Sequence, residues 1–560
     1  MFAIAGRILA ANALQRVITF LLNQVMIRHT SPEVFGQAAI SLELLLSTLL
    51  FLSREGIRLA CLREKVTSVA ARQRLVNLSW VPSAVLVGVV GALFAMRALG
   101  DKWALLKPLA SFDVDVVAMY ALGAFLELCG EPWFNAFQSA GLYTPRLRAD
   151  TAAVFVRSVV TCYTVAWLGL GVRGFGYAQV SYGLTHFIAM AGASRLSTRF
   201  DGKDAGWADF LPQLAPPLPD DSARSDALSR IVDTRTASVA VRAAFSSLLK
   251  HLLTEADKIA LSLTTSAYDQ GIFAVANNYG SLVARLILLP IEESARLTFS
   301  GLAADLRQAL GQQGSNPAHA VDGEGDARQR AAVTALETQL DQLLLLVTLV
   351  GTAFAVFGPC YARVAVRILF GRQYQSDESV RTLAMICVNV LVLAWNGVSE
   401  AFVHAVMPPS AFLRMNAGFV ASSVAYVVLV GPCVARAGTG GLVAAGAASM
   451  LLRIASSVGM IAHILAGVAH ARPDVPQRWK MMRLLLRPSH LAAVSLAAVV
   501  TVASSNRFAS SDMDLAALIQ HVGVGAASFA LYCAVAAWNV RSTGSLSDIT
   551  PFLRPKKKET

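Results

Sequence analysis

The chain keeps returning to apolar stretches long enough to cross a bilayer as helices, and no other feature restricts its fold as tightly. A hydrocarbon core needs roughly 17–25 mainly apolar residues per helix. Stretches of that kind lie near 5–27, 34–53, 77–98, 115–138, 151–171, 174–194, 240–263, 272–291, 338–357, 380–404, 415–434, 440–466, 489–505 and 516–540. Each segment must satisfy its own N–H and C=O groups in lipid, which makes it a helix. Composition agrees: 55% of the residues are hydrophobic and only 15% are charged, where soluble domains carry about a quarter charged. The expected fold is an all-α polytopic membrane protein with about fourteen transmembrane helices.

The excess of Lys and Arg, 48 against 36 Asp and Glu, is compatible with nucleic acid or with an anionic membrane face, and its distribution favours the membrane. Loops after even-numbered helices hold Arg54, Arg58, Arg63, Lys65, Arg72 and Arg74, then Arg146 and Arg148, then the arginines between Arg195 and Arg235. The positive-inside rule makes that face cytosolic, and an even helix count puts both termini there. Arg363, Arg367, Arg372 and Arg381 dissent by falling on the far side. The seven cysteines are scattered without paired spacing and read as small buried hydrophobes. Asn77-Leu78-Ser79 matches a glycosylation sequon, on the cytosolic side of this topology.

Composition also divides the chain. Residues 1–198 read as a first six-helix bundle, 199–235 as a solvated Pro- and Asp-rich linker, and 236–470 as a second six-helix bundle with a polar cytosolic loop at about 305–335. A C-terminal helix pair at 471–545 and a basic tail at 546–560 follow. Two six-helix bundles around a central cavity are a recurrent transporter layout.

Polar residues recur on one face of several apolar segments. Asn12, Arg16, Thr19 and Asn23 share a face of the first; Glu43, Ser47, Arg54 and Arg58, with Glu55 beside them, lie on the second. Glu127 and Glu131 stand four apart in the fourth, where Pro132 predicts a kink, and they suit pairing with those arginines. The stretch Leu252–Ser294 carries Glu255, Asp257, Asn277, Asn278, Arg285, Glu292 and Glu293 across two apolar runs; Lys250 extends its charged face, and Glu292 is the partner expected for Arg285. The tenth segment aligns Asn389, Asn396, Glu400 and His404. An ionisable group in hydrocarbon costs kilocalories unless it faces protein or water, so these stripes face inward.

No nucleophile–base triad, phosphate-binding glycine loop or metal-ligand spacing is present, so neither an enzyme nor a cofactor is expected. Arginine and lysine (Arg16, Arg54, Arg58, Lys250, Arg285) match phosphate or diphosphate. Amides and carboxylates (Glu55, Glu255, Asp257, Asn277, Asn278, Glu292, Glu293, Asn396, Glu400) suit sugar hydroxyls, or pair with those cations. A glycan needs such a lined route, because each unpaired hydroxyl costs roughly 4–8 kcal/mol in hydrocarbon.

The blocks SREGIRLACLRE (53–64), LLTEADKIAL (252–261), DQGIFAVANNYGSLVARLILLPIEES (269–294) and LAWNGVSEAF (393–402) resemble the signature blocks of the eukaryotic Rft family. The resemblance implies membership of the multidrug/oligosaccharidyl-lipid/polysaccharide exporter superfamily, with a fold like that of its lipid II flippase and MATE transporters. It also implies an endoplasmic reticulum membrane protein that translocates Man(5)GlcNAc(2)-PP-dolichol for N-glycosylation, with that lipid, membrane lipids and other N-glycosylation proteins as partners. Two alternatives stay open, a non-transporting accessory of the same pathway and a MATE-type cation or drug antiporter. The ending KKKET places Lys557 and Lys558 where a dilysine retrieval signal of endoplasmic reticulum proteins has its lysines.

Overall fold

A computed structural model of the protein describes residues 21–61, 69–98, 113–139, 142–196, 210–213, 234–314, 323–407, 412–469, 482–507 and 515–542, and these are helical apart from short turns and caps. They gather into two compact units: the described residues up to Ala274 with Gly371–Gln373, and those from Val275 to Phe370 and from Tyr374 onward. By length and composition, eight of the described helices can cross a membrane.

The first unit begins with α1 (21–29) and α2 (Pro32–Cys61). Ser31 caps α2, its Oγ accepting from Val34 N at 3.4 Å, with Pro32 at the first position where its missing N–H loses nothing. Then come α3 (Val69–Ser79), α4 (Val81–Ala98), α5 (Val114–Leu128), α6 (Glu131–Ser139), α7 (Tyr143–Thr161), α8 (Val172–Leu196), α9 (Thr234–Thr254), α10 (Ala256–Thr264) and the start of α11 (Ala267–Val283). Helix α8 packs against α5 and α7, and α2 against α9. Gly123 and Gly183 permit the α5–α8 crossing, since a Cβ on Gly123 would stand 2.7 Å from the Gln179 carbonyl oxygen.

Two expected single helices are broken. The segment near 115–138 stops at Leu128 and restarts at Glu131, so Pro132 sits in the first turn of α6 and kinks nothing. The segment near 240–263 breaks at Glu255, which has non-helical φ and ψ. Both breaks put a carboxylate at the start of a helix, where the dipole favours it.

Of the expected linker, residues 234–235 open α9 and residues 210–213 are docked on the first unit. Phe210 is buried and stacks on Trp133 at 5.2 Å between centroids. Trp80 Nε1 donates to Phe210 O at 2.9 Å, Gln73 Nε2 to Leu211 O at 2.9 Å, and Asn77 Nδ2 to Gln213 O at 2.7 Å. Asn77 Oδ1 in turn accepts from Gln213 N at 3.0 Å. Asn77 is thus 5% exposed inside α3, and its amide is engaged.

In the second unit α11 widens over Ala284–Leu288 into i→i+5 bonding and continues as α12 (Leu289–Gly314). Next are α13 (Gly323–Leu369), α14 (Asp377–Val406), α15 (Phe412–Ala469), α16 (Pro488–Arg507) and α17 (Leu515–Arg541). Within the polar stretch near 305–335 the described residues, up to Gly314 and from Gly323, are helical. Helix α13 runs past Pro359, so Arg363 and Arg367 ride on its last turns, and Arg363 Nη2 meets Asp377 Oδ1 at 2.9 Å. Ser376 caps α14. Helix α15 is bent at Ala437 and Gly438, the latter at φ +56, a conformation glycine adopts without strain.

Apolar packing of α12 and α13 on α14 forms the core, with Phe299 edge-on to Phe402 at 5.0 Å. The C-terminal pair is fastened to α13 by polar contacts: Tyr532 OH donates to Leu349 O at 2.8 Å and Tyr361 OH to His521 O at 2.9 Å. His521 Nδ1 lies 2.7 Å from Ser504 Oγ.

Candidate functional site

In the first unit the i,i+4 arginines of α2 meet the carboxylates that bracket the α5–α6 break. Arg58 donates to Glu131 from Nε at 2.9 Å and from Nη2 at 2.5 Å, a bidentate pair. Arg54 pairs with Glu127 and lies 3.6 Å from Glu131. The Glu131 side chain is 1% exposed, and Arg58 and Arg146 lie over the Phe134 ring at 3.9 and 4.5 Å. Arg146 Nε and His186 Nε2 reach Asp150 at 3.6 and 3.2 Å. Arg54 and Arg58 are therefore balanced by buried carboxylates.

Elsewhere in this unit Glu55 is half-buried on α2. Glu255 is buried at the α9–α10 break, paired with Lys258 at 2.9 Å. Asp257 is exposed on α10. Lys250 belongs to α9, but its side chain lies outside the described residues, as do Arg16, Lys557 and Lys558.

The second unit holds a cation of a different kind. Arg285 sits in the wide turn after α11, exposed, and its guanidinium folds back along its own helix: Nη2 donates to Asn278 O at 3.1 Å, Asn278 Oδ1 at 3.3 Å and Ser281 Oγ at 3.0 Å. Among the described residues no carboxylate pairs with it. The expected partner, Glu292, pairs instead with Arg296, one turn along α12. The wide turn between Arg285 and Glu292 shifts the seven-residue alignment that their spacing suggests. Asn277 and Glu293 are exposed and Asn278 is half-buried.

On α14, Asn396 and Glu400 are buried one turn apart. Arg453 of α15 reaches Glu400 at 2.7 Å and lies over Phe419 at 5.0 Å. Asn396 Oδ1 is buried without a hydrogen bond. The Glu292 carboxylate lies beside Gly397, so α12 adds a second acid to this part of α14.

A cavity of about 800 Å³ opens between α11, α13, α14 and α17, walled by Tyr279, Phe354, Phe357, Tyr361 and Phe529. The two tyrosine hydroxyls are spent on backbone carbonyls of Leu369 and His521, so the walls are apolar.

Sequence reasoning missed Arg453, Arg296, Arg146, Asp150 and His186. Arg296 had a signal in its four-residue spacing from Glu292. Arg453 and His186 stand alone in apolar or small-residue runs, and their partners are remote in sequence.

A family model described as "Rft protein" matches residues 5–548. The "Man(5)GlcNAc(2)-PP-dolichol translocation protein RFT1" of Mus musculus is 31% identical over 534 residues, covering 92% of this chain and 90% of that protein. The protein of the same name from Dictyostelium discoideum is 26% identical, covering 72% and 75%. Among solved structures, "Lipid II flippase MurJ, inward closed conformation" aligns with TM-score 0.55 at 9% identity over 95% of this chain and 98% of its own. An inward-facing multidrug resistance MATE family transporter of the MOP superfamily aligns at 0.51 with 14% identity, over 81% and 96%. At such identities the likeness is one of fold.

Proposed function

The chain belongs to the Rft protein family, and from that membership we propose that it translocates Man(5)GlcNAc(2)-PP-dolichol from the cytosolic to the lumenal leaflet of the endoplasmic reticulum membrane, without ATP, for N-glycosylation. The relatives carry that substrate in their names, and the fold is that of two transporters. In this reading both termini are cytosolic, and the Lys557–Lys558 tail retrieves the protein to its membrane. The protein moves its substrate without changing a covalent bond.

The observation that carries the reading is Arg285. A guanidinium in an apolar helix, held in place by carbonyl and amide oxygens of its own helix and free of a carboxylate partner among the described residues, keeps its full charge for an external anion. Arg54 and Arg58 are spoken for by Glu127 and Glu131, so the diphosphate contacts Arg285 first. Amides and carboxylates of α11 and α14, with Asn396 Oδ1 unpaired, accept from sugar hydroxyls. Purified protein in vesicles containing the dolichol-linked heptasaccharide should move it between leaflets, and Arg285→Ala should slow that movement at least tenfold. Normal movement by the variant sinks the Arg285 assignment, and none by the wild type sinks the translocation reading.

A further inference from the structure

Where α14 packs on α15 in the second unit, several buried polar atoms make no hydrogen bond among the described residues. Asn396 is 7% exposed, yet its Oδ1 accepts nothing. Seven residues earlier on the same face of α14, Asn389 Oδ1 is buried and equally bare. On α15, Arg453 brings Nη2 to Glu400 at 2.7 Å, but its buried Nε donates to nothing. Ser457, one turn further along α15, is fully buried with its Oγ unbonded.

Buried polar atoms almost always have hydrogen-bond partners, so a row of bare ones marks a missing partner. Its chemistry follows from what the row offers. Charge is already balanced: Arg453 faces Glu400, and Glu292, whose carboxylate lies beside Gly397, pairs with Arg296. A cation would meet the Arg453 guanidinium, and a phosphate would bring oxygens that cannot donate to the two amide oxygens. A hydroxyl both donates and accepts, so it satisfies the amide oxygens and the Nε–H alike. From Asn389 to Glu400 the row rises about 16 Å at 1.5 Å per residue, which calls for a chain of hydroxyl-bearing units. The Arg453 side chain is 34% exposed, so a ligand reaches the row from its edge.

We propose that the α14–α15 seam is a glycan subsite, in which Asn389 and Asn396 accept from sugar hydroxyls and Arg453, held by Glu400, donates its Nε–H to a sugar oxygen. The subsite takes the neutral oligosaccharide and leaves the diphosphate to Arg285. That the glycan arrives attached to a lipid rests on the translocation reading; binding of the glycan itself does not.

Saturation-transfer NMR on the purified full-length protein in detergent, with free Man(5)GlcNAc(2) as the probe, tests the subsite without transport. Wild type should transfer saturation to the glycan, and Asn396→Leu should weaken binding about tenfold, the loss of one hydrogen bond. Because leucine also removes a buried acceptor that lacks a partner, the thermal midpoint of that variant should hold or rise. Arg453→Lys keeps a charge opposite Glu400 but loses the Nε–H, so it should fold normally and bind the glycan less tightly. Inorganic diphosphate should not displace the glycan. No saturation transfer from wild type, which would leave water alone in the seam, overturns the proposal, as does displacement by diphosphate. Unchanged glycan binding in both variants, or a lowered midpoint in Asn396→Leu, overturns it too. In vesicles the same variants should slow movement of the dolichol-linked heptasaccharide. A wild type that binds the glycan but moves no lipid defeats the translocation reading and leaves the subsite standing.

Discussion

Replacing Glu131 by Gln keeps the shape of the side chain and removes its charge. The Glu131 side chain is 1% exposed and accepts two hydrogen bonds from Arg58, with Arg54 3.6 Å away. Arg54 retains Glu127, so the whole loss falls on Arg58, left as a nearly enclosed cation over Phe134. Breaking one side of a buried pair costs about 3–5 kcal/mol, and Arg58, still 19% exposed, places this one near the lower end. Three kcal/mol lowers the folded-to-unfolded ratio about a hundredfold. Removing both partners with apolar residues of similar volume, Arg58→Met with Glu131→Leu, should return stability to within about 1 kcal/mol of wild type, because no charge is then left unpaired. Reversible unfolding in mixed micelles of the singles and the double gives the coupling directly, expected at about 2 kcal/mol or more. A Glu131→Gln cost under about 0.5 kcal/mol, or strict additivity, would refute the claim that this pair is buried and mutually dependent. The same double variant asks a functional question: transport near wild type confines Arg58 to a structural role, whereas a stable but inactive protein returns it to the diphosphate route.

Arg285→Lys should recover only part of what Arg285→Ala loses in vesicle translocation, since an ammonium keeps the charge without the planar fork that bonds Asn278 and Ser281. Gly123→Leu should cripple accumulation of folded protein, because its Cβ already meets the Gln179 carbonyl, while Ala526→Leu, whose added atoms enter the apolar cavity, should not; equal folded yields by size-exclusion would contradict the crossing geometry. Asn77→Ala should release the docked tetrapeptide and speed protease cleavage between residues 199 and 233, read by timed digestion. Wild-type Asn77 should carry no glycan on either side of the membrane, as mass spectrometry of the intact peptide can show.

Part of the first ionic site is written in spacing. Arg54 and Arg58 lie four apart, and so do Glu127 and Glu131, so α2 meets the ends of α5 and α6 rung for rung. Helices that could cross a bilayer were equally legible, because hydrocarbon admits few other structures. What stayed hidden depends on tertiary partners. The break at Cys129–Gly130 was masked by continuous hydropathy across it, and Pro132 drew attention to a bend that lies three residues earlier. Arg453 and His186 acquire meaning only through Glu400 and Asp150, which no local pattern connects to them. Glu292 shows the opposite failure: a good helical spacing to Arg285 was undone by the wide turn between them.

The tetrapeptide Phe210–Gln213 bears on how this protein can be cut in two. Anyone expressing the chain as two separate polypeptides would place the split anywhere in the Pro-rich stretch that reads as a linker in the sequence, treating all of it as spacer. The hydrogen bonds from Gln73, Asn77 and Trp80 make the cut sites unequal. An N-terminal fragment ending beyond Gln213 keeps the Phe210 ring that stacks on Trp133, and should aggregate less than a shorter one when each is co-expressed with the remainder that carries α9. One ending before Phe210 presents a bare indole and an unsatisfied amide.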